Sequence, residues 1–298
     1  MFAVYKRELK AYMSNVYGWL FMAVLLMFVG FSMFIHNLQM GVPDIKYALL
    51  WSNYTDFSWL SGEMALLVLV PVLCMRSMAE DKRNKTDMFY LSLPMPTSSV
   101  VMGKYFALLT VYAIPCAVIC VYPLVLGMFG DVNFLSAYVS ILFFFLLGAA
   151  LIAVCQFLSA LTDNLVVAAV LGVVACAVLF FLPVLSYILP GTALASFIGF
   201  IVMALLVAGV AYLVTRNITV TTIAGAVLII PLSVLYMIFG KQFAGVFPTV
   251  LEYVSPFMHF DQVATYDLFS IPSLVLLLSY PVFFIFLTVQ SADKKRWA

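Results

Sequence analysis

Arg76, Glu80, Lys82, Arg83, Thr86 and Asp87 crowd into one short stretch, with Met88, Phe89 and Leu91 directly behind them, in a chain of which only 9% is charged. Side chains of these types exchange charge-assisted hydrogen bonds with a facing surface. Alone they neither make nor break covalent bonds. Motifs that would do so are missing from the sequence. Gly103-Lys104 lacks the upstream glycine and the following Ser or Thr of the phosphate-binding G-x-x-x-x-G-K-[ST] loop, and it opens an apolar run instead of following a strand. There is no H-E-x-x-H, no G-x-S-x-G and no Ser/His/Asp set with an evident meeting point. The five cysteines all sit in apolar runs without C-x-x-C spacing, which reads as small hydrophobes in packing contacts, with no disulfide framework and no metal site.

The surroundings of the charged stretch are those of a membrane protein. Hydrophobic residues make up 66% of the 298, against roughly 45–50% in soluble domains. A soluble core cannot absorb that surplus, so the bilayer must solvate most of the surface. A net charge of +1 gives no general basic bias, which argues against nucleic acid as a partner. The expected fold is all-α, a polytopic transmembrane helix bundle. Apolar runs long enough to cross about 30 Å of hydrocarbon lie near 17–36, 59–77, 104–128, 137–161, 165–189, 193–214, 219–240 and 271–290. That makes about eight spans, with six as the alternative, and Pro190-Gly191 divides the long run at 165–214. The first run is too long for a signal-peptide core and has no cleavage site behind it, so it is expected to stay as a span.

Residues 1–16 form an expected interfacial helix ahead of the single transmembrane domain at 17–298. Phe2, Tyr5 and Leu9 recur at helical spacing on one face, with Lys6, Arg7, Glu8 and Lys10 mostly on the other. Orientation follows from the basic residues. With the N-terminus inside, only Lys46 and Lys241 of the fourteen fall outside, so both ends are expected to be cytoplasmic. Within the charged stretch Thr86 is a fair N-cap for a short helix from Asp87 to Leu93, stopped by Pro94 and Pro96, and Thr97, Ser98 and Ser99 are fit to cap the next helix. A short apolar helix with charged flanks suits a groove on a cytoplasmic partner. An orienting, headgroup-contacting loop is the competing reading. Polar groups inside the membrane are few. Gln156 is the most deeply placed, reading as an interhelical hydrogen bond or a substrate contact, and Glu63 lies at the outer end of its span.

Several of these segments together resemble a known family. F-x-x-Y-K-R-E-L-K-x-Y at 2–12, P-V-L-C-M-R-S-M-A-E-D-K-R-N-K-T-D-M-F-Y-L-S-L-P-M-P at 71–96 with Gly103-Lys104 after it, S-P-F-M-H-F-D at 255–261 and F-F-I-F-L-T-V-Q-S-A-D-K-K-R-W at 283–297 resemble ABC-2 type transporter permeases of the gliding-motility branch. The resemblance implies a membrane subunit of an ATP-binding cassette exporter, multi-pass in the bacterial inner membrane. Such a subunit pairs with a second permease copy or a paralogue, and ATP and Mg are bound by a separate ATPase subunit, leaving this chain with no cofactor and no catalytic residue. It further implies that the loop after the second span, with Glu80 flanked by Arg76 and the Thr86–Leu93 segment, contacts the ATPase together with the N-terminal helix. The span count departs from the usual six, because 193–240 adds two. The alternatives are an ion-coupled secondary transporter or a non-transporting membrane scaffold or enzyme.

Overall fold

Apolar runs of about 20 residues satisfy their own backbone in hydrocarbon, segment by segment, when each coils into a helix. In the structure, a computed structural model describing residues 1–50, 60–86, 96–215, 218–266 and 269–297, every regular element among the described residues is a helix. They are α1 (Phe2–Ser14), α2 (Val16–Met33), α3 (Lys46–Leu49), α4 (Gly62–Cys74), α5 (Ala79–Arg83), α6 (Thr97–Ile119), α7 (Tyr122–Leu126) and α8 (Phe134–Leu161). After these come α9 (Leu165–Ile188), α10 (Ala193–Thr215), α11 (Ile218–Phe239), α12 (Val246–Val254), α13 (Pro256–Tyr266) and α14 (Ile271–Trp297). A π-helical turn, Phe34–Gln39, extends α2.

Six stretches among the described residues are helical, long and apolar enough to cross a membrane: Val16–Gln39, Gly62–Arg83, Thr97–Leu126, Phe134–Leu161, Leu165–Ile188 and Ile271–Asp293. The runs at 193–214 and 219–240 form α10 and α11, whose described apolar stretches, Ala193–Gly209 and Gly225–Ile238, are shorter. The third helix begins at Thr97, ahead of the apolar run, because Pro96 stands outside it in an extended conformation as its N-cap. Thr97, Ser98 and Ser99 therefore lie inside the first turn and do not cap it.

The contacts divide the chain into two units, 1–178 with 259–298, and 179–258. In the first, α8 is the innermost helix, with 78% of its apolar window buried against 22% for Ile271–Asp293. Gly148, Ala149, Ala150, Ala153 and Ala160 give it a stripe of small residues on which α4, α6 and α14 pack closely. Tyr112 of α6 lies in this contact. Its hydroxyl donates to the Phe144 carbonyl at 2.8 Å, and its ring stacks on Phe145 at 5.6 Å. A Cβ on Gly148 would stand 2.3 Å from that ring. Pro71, inside α4, fits against Gly172 in the same manner.

The second unit is held by rings. Phe197 of α10 stacks on Tyr236 of α11 at 4.3 Å, and Phe247 of α12 lies over Gly199. In α12 Phe247 and Leu251 are buried. Pro248 sits within the first turn of this helix, where a missing amide hydrogen costs nothing. Gly148→Ala is expected to destabilise the first unit by about 1–3 kcal/mol through overpacking against Tyr112, read as a lowered midpoint of thermal unfolding in detergent.

Candidate functional site

The charged stretch after α4 is built onto the membrane helices by a few long-range polar contacts. Three backbone groups at the break between α4 and α5 share one hydroxyl. Ser159 Oγ of α8 accepts from the amides of Met78 (3.2 Å) and Ala79 (3.1 Å), and donates to the Met75 carbonyl (3.2 Å). It thereby takes over the orphan donors at the start of α5. Lys82 reaches the Ala160 carbonyl of the same helix. Beyond α5, Lys85 takes a left-handed conformation (φ 57°), and the Thr86 hydroxyl turns back onto Asp81, to its carbonyl at 3.2 Å and its carboxylate at 3.1 Å.

Lys104 is the electrostatic centre of this region. Its side chain is 3% exposed, 2.7 Å from Asp81 Oδ2 and 3.5 Å from Glu8 Oε1, and it donates to the Ser77 carbonyl. An ammonium held that far from water persists only with such partners. One sequence expectation is corrected here. Glu8 does not lie on the solvated side of α1 with Lys6 and Lys10. The buried ammonium draws Glu8 inward, so the face of α1 against the bundle is Val4, Glu8 and Tyr12. Phe2 is exposed, as are Lys6 and Arg7, while Tyr5 and Leu9 are half-buried. Tyr5 nevertheless reaches Thr110 of α6 at 3.1 Å.

Arg76 and Glu80 form a two-pronged pair one helical turn apart, at 2.8 and 2.7 Å, with the guanidinium 4.6 Å above the Tyr17 ring. Together with Arg7, Glu8, Tyr12 and Asp81 they line an open polar cleft of about 310 Å³. Arg83 is exposed beside it. The structure thus brings Arg7, Arg76, Glu80 and Thr86 to one cleft. Asp87, Met88, Phe89 and Leu91, with the short helix expected there, lie outside the described residues.

The two intramembrane polar residues are far apart in the fold. Gln156, fully buried on α8, donates to the Val101 carbonyl of α6 at 3.1 Å, near the α5 end of the bundle. Glu63, 1% exposed, lies at the opposite end of α4 and shares a hydrogen bond with Asp261 of α13. Asp261 is a residue that sequence reasoning missed. Burial pushes its carboxyl from the ordinary 3.8 up to about 6, and the bond with Glu63 works the other way. Ser159 was missed as well. Neither carries a local signal, although Asp261 closes the S-P-F-M-H-F-D segment.

The sequence comparison bears on the same region. Residues 52–195 match the family model described as ABC-2 family transporter protein. Over those residues the chain is similar to ABC-2 transporters. The ABC-2 match runs from ahead of α4 through α9, and so contains Arg76, Glu80, Lys104, Gln156 and Ser159. Permeases of this family are membrane subunits and normally not catalytic themselves. Comparison with curated proteins and with solved structures gave no match.

Lys104→Met is expected to cost on the order of 3 kcal/mol, because Asp81 and Glu8 then face each other without a cation. Adding Glu8→Gln and Asp81→Asn should recover most of the loss in the same thermal unfolding measurement. Asp261 gives a pH test. Its folded-state value lies above its unfolded one, so folding takes up a proton between about pH 4 and 6. Its contribution is favourable at low pH and is lost as pH rises through about 6. The unfolding midpoint should fall across that window, and Asp261→Asn should flatten the fall.

Proposed function

We propose that this chain is the permease subunit of an ATP-binding cassette exporter, driven by a separate ATPase subunit that docks on the 76–104 segment. The observation that supports it is the anchoring of that segment. Glu80 sits on a helix tied to α8 through Ser159 and Lys82, and to α6 and α1 through Asp81 and Lys104. A force applied at this cleft displaces the membrane helices and is not absorbed in a slack loop. ATP binding and hydrolysis, with Mg²⁺, belong to the partner, and its cycle supplies the energy difference between two packings of the spans. The permease works as a pair, with a second copy or a paralogue, in the bacterial inner membrane. The concentration of basic residues on the α1 side supports a cytoplasmic position for both termini and the cleft.

A second reading is ion-coupled transport, favoured by the buried carboxyl pair of Glu63 and Asp261. The two differ in their energy source. The chain purified from its native membrane in mild detergent should bring an ATP-binding cassette ATPase with it. Glu80→Arg, which sets two guanidinium groups one turn apart, should reduce that recovery severalfold while leaving the chain monodisperse. Undiminished recovery with Glu80→Arg overturns the docking site. A chain that emerges alone and transports on a proton gradient overturns the exporter reading.

A further inference from the structure

A groove in the first unit, away from the charged cleft, has the dimensions and chemistry of a lipid site. It lies between α6, α8 and α14, encloses about 720 Å³, and is walled by Phe106, Leu109, Phe145, Leu278 and Phe286, with Ala149 among its lining residues. Its polar lining is Ser98 and Ser99, in the first turn of α6, and Tyr105 further along, whose hydroxyl already donates to the Ala149 carbonyl at 3.2 Å. The groove opens sideways: Val282 and Phe286 of α14 are 72% and 58% exposed.

Its length identifies the occupant. Along α6 the lining runs from Ser98 to Leu109, and along α14 from Leu277 to Val289. These are about 16 and about 18 Å at about 1.5 Å per residue. Either is roughly half of the ~30 Å hydrocarbon core. A transmembrane helix from a partner protein would need a track through the whole core. One fatty acyl chain, which spans a single leaflet, needs only this half. The polar mouth falls at headgroup level on the side where α1 lies, and Pro281, which lines the groove from within α14, removes a helix amide donor where α14 borders it.

We infer that this groove holds one acyl chain of a bilayer lipid drawn from the leaflet on the α1 side, independently of how transport is driven. Apolar burial then continues from the bundle into an ordered lipid, which fills space between α6 and α14 that no side chain of the described residues occupies.

The test uses the full chain in phosphatidylcholine vesicles containing a trace of phosphatidylcholine with a diazirine midway along one acyl chain. After irradiation, adducts are mapped by mass spectrometry. Adducts on Phe106, Phe145 and α14 should exceed severalfold those on outward apolar residues such as Val170 and Val174. Ala149→Phe, which fills the groove, should abolish the excess and leave the reference adducts unchanged. Val282→Trp, at an exposed position, should narrow the opening and reduce the excess even if Ala149→Phe fails to fold. Adducts spread evenly over the apolar surface, or an excess that survives both variants, would overturn the assignment. Efficient disulfide cross-linking between two copies through Phe286→Cys would overturn it too, by making this face a contact between protomers.

Discussion

The α1 end of this bundle depends on one buried charge. Lys104 lies a few residues inside α6, where desolvation alone would drive the ammonium out of the structure. It stays because Asp81 from α5, Glu8 from α1 and the carbonyl of Ser77 converge on it. Each of these groups comes from a different part of the chain, so one cation fixes the mutual placement of the N-terminal helix, the turn after α4 and the start of the third membrane helix. Removing any one member leaves the others mismatched in a medium that cannot screen them.

The same region shows how a helix of small residues becomes a platform. α8 contributes almost no charge, yet its alanines and Gly148 admit α4, α6 and α14 to close range. Two of its polar residues, Gln156 and Ser159, are spent on backbone groups of neighbouring helices. Van der Waals packing supplies contact area, and the hydrogen bonds fix register. The cleft of Arg76, Glu80 and Arg7 is therefore an exposed charged surface mounted on an apolar, tightly fitted base.

Much of the architecture is legible in the sequence because hydropathy over 20 residues reports directly on solvent. The helical class and most spans follow from that alone, as does the concentration of charge after the second span. What hydropathy cannot report is which polar side chain finds which partner. Lys104 stands next to a basic loop and looks like part of it, although its carboxylate partners lie in α1 and α5. Glu8 alternates with lysines and reads as solvated until the buried ammonium is known. Asp261 meets Glu63 from the far end of the chain, and Ser159 is one hydroxyl in an apolar helix. Helix starts slipped for a related reason: Thr97 has the chemistry of a cap, but Pro96 fixes the entry, and the Thr97 hydroxyl bonds Asp293 instead.

The Ser159 contact also has a meaning in time. The amides it binds, at Met78 and Ala79, precede it by 81 and 80 positions in the chain. At a synthesis rate of about 5–20 residues per second, the turn after α4 exists for about 4–16 seconds before its acceptor has been made. During that interval the charged segment can rest on headgroups at the membrane surface, but it cannot take its final shape. Arrival of α8 in the bilayer folds the turn, so the charged cleft takes its shape only on a chain already inserted through its fourth span.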